Sequence, residues 1–156
     1  MAEKFVPTRR ALVAGAALAG GLLASGRAAN AETTRPIEQP AVPGPAAFMA
    51  RAVAMRDAAA RAGDQPYGAA IVKDGRIVGQ APSRVVTARD PTAHAEMEAI
   101  RDAARRLGTR DLAGCEIYAS TRPCPMCEGA AYWAGIARIR HGASAEDAGA
   151  PRLGRC

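Results

Sequence analysis

The sequence predicts an α/β fold, and three observations predict it. Tyr67 to Val72 reads as a strand, Asp74-Gly75 as a tight turn and Arg76 to Gln80 as the returning strand, which makes a β-hairpin. Beyond the hairpin, helical and strand patterns alternate through His141. Apolar residues make up 49% of the 156-residue chain, enough for one packed core. Aromatics are only 4%, so that core has to be built from Ile, Val, Leu, Met and Ala.

The elements follow in order. Residues 1–31 have the form of an export signal: Arg9-Arg10 precede an uncharged apolar run from Ala11 to Ala24, and Ala29-Asn30-Ala31 is an A-x-A cleavage site. Thr8-Arg9-Arg10-Ala11-Leu12-Val13 resembles a twin-arginine signal, which predicts a periplasmic or otherwise exported protein starting at Glu32. The apolar run is short of the roughly 20 residues a membrane span needs, so no membrane association is expected after cleavage. Residues 32–45 hold four prolines and read as an extended linker. Residues 46–142 form the expected domain, and 143–156 a short, weakly structured tail. Within the domain, 46–62 reads as a helix with Phe48, Val53 and Met55 on its apolar side. Asp90-Pro91 has the form of a helix start, and the helix is expected to run from Pro91 to Leu107 before Gly108. Cys115 to Ser120 reads as a strand, Pro123 to about Gly135 as a helix and Ala137 to His141 as a strand. Such alternation predicts parallel strands with right-handed crossovers. Functional groups are then expected at the carboxyl ends of the strands.

The formal charge of +6 invites a nucleic-acid reading. Removing 1–31 takes away Lys4, Arg9, Arg10 and Arg27 against Glu3, which leaves +3. The remaining arginines are spread along the chain, so no nucleic-acid partner is expected. Two cysteines, Cys115 and Cys156, stand outside any motif. In an exported protein they could pair, and a buried free thiol at Cys115 is the other reading.

The chemistry concentrates in two stretches, Asp90-Pro91-Thr92-Ala93-His94-Ala95-Glu96 and Pro123-Cys124-Pro125-Met126-Cys127. Zinc takes imidazole and thiolate ligands, and a catalytic site keeps three protein ligands with one position open. His94, Cys124 and Cys127 supply three. A C-x-x-C alone equally suits a redox pair or half of a structural zinc site, and a lone His at a helix start is often a cap or core residue. No other Cys or His stands close to these motifs to close the site. Cys124 and Cys127 are spaced to share one helix face. Glu96 carries a carboxylate two residues beyond His94, suited to proton transfer beside the metal.

Together, H-x-E and P-C-x-x-C make the known signature of zinc-dependent nucleobase deaminases. Over roughly 46–142 the chain resembles the cytidine deaminase-like superfamily. Its motif wording is most similar to bacterial guanine deaminases, in Pro66-Tyr67-Gly68-Ala69, Ile71-Val72-Lys73-Asp74-Gly75, Gly129-Ala130 and Tyr132-Trp133-Ala134 as well as the two metal stretches. The resemblance implies a three-layer α/β/α sandwich on a mixed sheet, a Zn2+ cofactor and hydrolytic deamination of a nucleobase or nucleoside with release of ammonia. It implies Glu96 as the catalytic acid and base, His94, Cys124 and Cys127 as metal ligands, and a homodimer. By the same resemblance Trp133 and Tyr67 would line the base pocket. The family carries Asn eleven residues before the zinc histidine; here Ser83 stands there, a shorter group without an amide's bidentate contact. Only fifteen residues follow His141, where the family continues with further elements, so the last strand is expected to be an open edge or to be covered by another subunit. A tRNA adenosine deaminase and a non-catalytic zinc-binding remnant are the alternative readings.

Overall fold

The computed structural model describes residues 37–153. The expected signal over 1–31, the start of the linker and Cys156 lie outside the described residues. The described elements are α1 (Pro45–Arg61), β1 (Gly68–Lys73), β2 (Arg76–Pro82), α2 (Ala95–Leu107), β3 (Glu116–Ala119), α3 (Pro125–Trp133), β4 (Arg138–His141) and β5 (Glu146–Gly149). Among the described residues no helix is long and apolar enough to cross a membrane.

The strands form one mixed sheet in the order β2-β1-β3-β4-β5. Only β3 and β4 are parallel; the β1/β2, β1/β3 and β4/β5 pairs are antiparallel. The parallel β3/β4 pair agrees with the expectation of parallel strands after the hairpin. The crossover through α2 does return the chain in the direction of β2, but β1 lies between β2 and β3, so β3 meets β1 head to tail.

Alternation along β1 divides the core. Ala69 and Ile71 face one side, where they meet Ala95, Ala99 and Ala103 of α2. Ala70 and Val72 face the other side and pack with Phe48, Met49 and Ala52 of α1. The hairpin register slips between Ile71, opposite Gly79, and Val72, opposite Ile77. That bulge lets Ile77 join the α1 side while Ala81 stays on the α2 side, which unbroken pleating would forbid. The buried face of α1 is Phe48, Met49, Ala52 and Ala59, with Val53 and Met55 only half-buried.

At Ala52 that face carries a small residue because the helix there lies very close to the sheet. A Cβ on Gly68 would fall 2.2 Å from the Ala52 carbonyl oxygen and 2.1 Å from the Arg56 nitrogen. On the other side, a Cβ on Gly79 would sit 2.6 Å from the Ala103 Cβ. The two glycines therefore set the distance of both helix layers from the hairpin.

The segment after His141 is ordered into β5, which pairs antiparallel with β4. The sequence expectation of an open β4 edge is thus corrected within this chain. The pairing is electrostatic as well as backbone: Arg138 and Arg140 of β4 meet Asp147 of β5, and Arg140 also meets Glu116 of β3 at 2.9 Å. An Ala/Gly-rich stretch has little intrinsic strand preference, so the signal lay in this cross-strand charge match rather than in the pattern. Cys115 is fully buried at the entry to β3 and is a free thiol.

Both new methyls would strike helix backbone; replacing Gly79 with Ala is expected to destabilise the fold by about 1–3 kcal/mol, and replacing Gly68, where the approach is closer, by more. Urea unfolding of the two variants tests this; a Gly68→Ala protein as stable as wild type would mean that α1 is free to move away from the sheet.

Candidate metal centre

Both helices that deliver the ligands begin later than their sequences suggest. The Asp90 side chain accepts from the Thr92 N–H at 2.8 Å and from its hydroxyl at 2.7 Å, closing a local turn instead of capping a helix. Helix α2 therefore starts at Ala95, and His94 is its N-cap residue in extended conformation. Likewise Pro123 lies outside α3; Cys124 is the extended N-cap residue and Pro125 opens the first turn. Two metal-ligand candidates thus occupy N-cap positions, and Cys127 sits within the first turn of α3.

The His94 Nδ1 lies 3.7 Å from the Cys124 Sγ and 3.6 Å from the Cys127 Sγ, and the two sulfurs are 3.6 Å apart. With zinc bonds of about 2.3 Å to sulfur and 2.0–2.1 Å to nitrogen, tetrahedral edges would be about 3.8 Å and 3.6 Å. The triangle therefore has the size of one face of a zinc tetrahedron, and the three residues fit the ion. Among the described residues these three alone form a metal-holding group. The two sulfurs lie at a helix N-terminus, where the backbone dipole favours negative charge.

Glu96 is 6% exposed, and its Oε2 lies 3.6 Å from the Cys127 Sγ. Burial raises its pKa, against the opposing effects of a backbone N–H, the Cys127 thiol and His94. Burial also raises the Cys127 thiol far above its ordinary range, and Glu96 and Cys124 add to the rise. Two sulfurs and a carboxylate crowded in a shielded place repel one another as anions, and a divalent cation among them removes that penalty.

The substrate-side expectations fare differently. Ser83 is 2% exposed, and its hydroxyl donates to Asp64 at 2.9 Å. Trp133 is the last residue of α3, about 13 Å along the axis from Cys124, and is 74% exposed. Its ring packs edge-on against Tyr132. Tyr67 is 41% exposed, and its carbonyl accepts from the Ser83 N–H at 3.0 Å. A groove of about 360 Å³ is lined by Arg122, Pro123, Glu128, His141 and Arg152, and none of His94, Glu96, Cys124 and Cys127 is among its lining residues.

Residues 45–143 match the family model described as the cytidine and deoxycytidylate deaminase zinc-binding region. The chain is 46% identical over 102 residues to a guanine deaminase of Bacillus subtilis, covering 65% of each protein. The crystal structure of that enzyme superposes with a TM-score of 0.59 over 62% of each chain. A tRNA-specific adenosine deaminase of Aquifex aeolicus is 52% identical over 77 residues, which is 48% of this chain and 51% of that one. A guanine deaminase structure from Nitrosomonas europaea is 31% identical with a TM-score of 0.62, over 67% of this chain and 61% of the other. The chain thus spans between half and two thirds of the length of these relatives.

One buried acid was not singled out by sequence reasoning. Asp64, just after α1, accepts from the Ser83 hydroxyl and from backbone and side-chain groups of Thr87. Burial works against its charge. The Thr87 N–H, the Ser83 and Thr87 hydroxyls and the Gln65 N–H outweigh burial and hold its pKa down to about 2. A lone Asp behind a helix-ending glycine carries no sequence signal of this role. A depressed pKa contributes stability above the unfolded value of about 3.9, and the contribution is lost as pH falls through the folded value. Asp64→Asn is therefore expected to melt below wild type at neutral pH, with the gap closing between about pH 4 and pH 2. A gap in Tm that stays constant over that range would show that the charge of Asp64 is not what stabilises the loop.

Proposed function

The chain belongs to the cytidine and deoxycytidylate deaminase zinc-binding family, and from that membership we propose that it is a hydrolytic deaminase of a free nucleobase or nucleoside, with guanine the first substrate to test. The observation that carries this reading is the buried Glu96 carboxylate 3.6 Å from a sulfur of the zinc site. A purely structural zinc site closes with a fourth protein ligand and has no use for such a group.

Bound by His94, Cys124 and Cys127, zinc supplies the Lewis acidity that makes water nucleophilic near neutral pH. Glu96 accepts the proton that the attacking water gives up. The oxygen adds to the ring carbon that bears the amino group. Glu96 passes that proton to the ring nitrogen and carries the second proton of the added oxygen to the departing amino group; the C–N bond breaks, and ammonia leaves a ring carbonyl behind. Burial suits Glu96 to this exchange, because a carboxyl with a raised pKa both takes and returns a proton more evenly than an exposed one.

The similarity to a guanine deaminase supports the small-molecule reading. The similarity to a tRNA-specific adenosine deaminase supports a second reading, in which the amino group belongs to an adenosine in RNA. The modest charge of the chain after residue 31 argues for the first. A homodimer and export through the twin-arginine route, with the mature chain beginning at Glu32, are part of the proposal. N-terminal sequencing of the exported protein tests the latter, and a chain that still begins at Met1 would overturn it.

The decisive experiment follows ammonia release from guanine, cytosine, adenine, their nucleosides and an adenosine-containing RNA stem-loop. Glu96→Gln is expected to keep its zinc and to lose at least about a hundredfold in turnover. Cys127→Ser is expected to lose both the ion and the activity, with the ion followed by elemental analysis. Equal turnover by wild type and Glu96→Gln would remove Glu96 from the mechanism. A zinc-loaded wild type that releases no ammonia from any compound would favour a non-catalytic zinc-binding protein.

A further inference from the structure

We infer that Asp64 is a positioning residue for the metal centre: its carboxylate sets the place of His94 through the loop that leads from β2 into α2. The inference concerns how the zinc ligand is held, and it stands whether or not the substrate is a nucleobase.

The connection can be followed bond by bond. One Asp64 oxygen accepts from the Gln65 N–H at 2.8 Å and the Ser83 hydroxyl at 2.9 Å. The other accepts from the Val86 N–H at 3.1 Å, the Thr87 N–H at 2.8 Å and the Thr87 hydroxyl at 2.9 Å. Five donors on one side chain, four of them some twenty residues away, fix the run 83–87 against the end of α1. That run is then tied to the segment before the ligand. The Arg84 N–H donates to the Ala93 carbonyl at 2.9 Å, and the Asp90 N–H donates to the Val85 carbonyl at 3.1 Å. Ala93 is buried and immediately precedes His94. The path from Asp64 to His94 therefore runs through Arg84 and Ala93, with no mobile side chain between them.

The loop needs such an anchor. It holds no strand or helix between Ser83 and His94, and Arg89 within it adopts a left-handed backbone with φ of 54°. A non-glycine residue there is strained and holds its place only when its surroundings fix it. An anion suits the task better than an amide, because every group aimed at it is a donor. In Asp64→Asn one oxygen becomes an NH₂, which meets an N–H or O–H and repels it.

The test uses the zinc-loaded full chain and four variants. Asp64→Asn is expected to release zinc to a competing chelator about ten times faster than wild type. Thr87→Val, which removes one hydroxyl, is expected to fall between, and Thr87→Ser to behave as wild type. Gln39→Ala is the comparison: its amide bonds both the N–H and the carbonyl of Ile77, on the α1 side of the sheet. It is expected to lower Tm while leaving zinc release unchanged. Zinc release at the wild-type rate from both Asp64→Asn and Thr87→Val would overturn the inference, as would equal acceleration in Gln39→Ala. Should Asp64→Asn fail to fold, the Thr87 pair and Gln39→Ala decide alone. Ammonia release is not among these readouts, so the deaminase proposal can fail while this one stands, and the reverse.

Discussion

Three soft ligand atoms have to meet within less than 4 Å, and they arrive from two helices that the chain builds thirty residues apart. The rest of the domain can be understood as what that meeting requires. The parallel pair β3 and β4 sends α3 from the carboxyl end of the sheet, and α2 arrives at the same end from β2. For α2 to come close enough, its inner face is alanine and the strand beneath it carries Gly79. Larger side chains at these places would add apolar contact but would lift the helix, and His94 with it. The alanine-rich composition is thus a geometric condition as much as a compositional habit.

The hairpin, the order of helices and strands and the ligand triad were all legible in the residues. Asp74-Gly75 announces its turn, and paired Cys at helical spacing behind a Pro announces a metal site. The errors have physical causes. Asp90-Pro91 looks like a helix start, but Thr92 offers Asp90 two donors at once and the turn wins. Phe48 is buried as its type suggests, but Val53 and Met55 are only half-buried while Ala52 is fully enclosed, because Gly68 draws that part of α1 in too closely for bulk. That β1 lies between β2 and β3 is a matter of strand order, which no local pattern records. The strand β5 depends on Arg138, Arg140 and Asp147 finding each other across the ladder, a pairing that exists only once the fold has formed.

The two ends of the site differ in how they were read. At the chemical end, His94, Glu96, Cys124 and Cys127 are grouped as their types suggest. At the substrate end, Ser83 gives its one hydroxyl hydrogen to Asp64 and is almost fully enclosed. Trp133 projects from the far end of α3. A side chain's identity reveals what it can bind; its direction depends on partners distant in sequence, and Asp64, nineteen residues before Ser83, was such a partner.

Residues at helix N-cap positions ordinarily quench the free amides of the first turn with their own oxygen atoms. In α2 and α3 those positions are held by an imidazole and a thiol, and neither side chain makes that bond. An ion held by both side chains would join the two helix openings, acting as a shared clasp. An apoprotein would carry two loosened helix ends facing each other, so that loading the metal and completing the fold become a single event. In a compartment that oxidises thiols, the same clasp shields both sulfurs from joining each other.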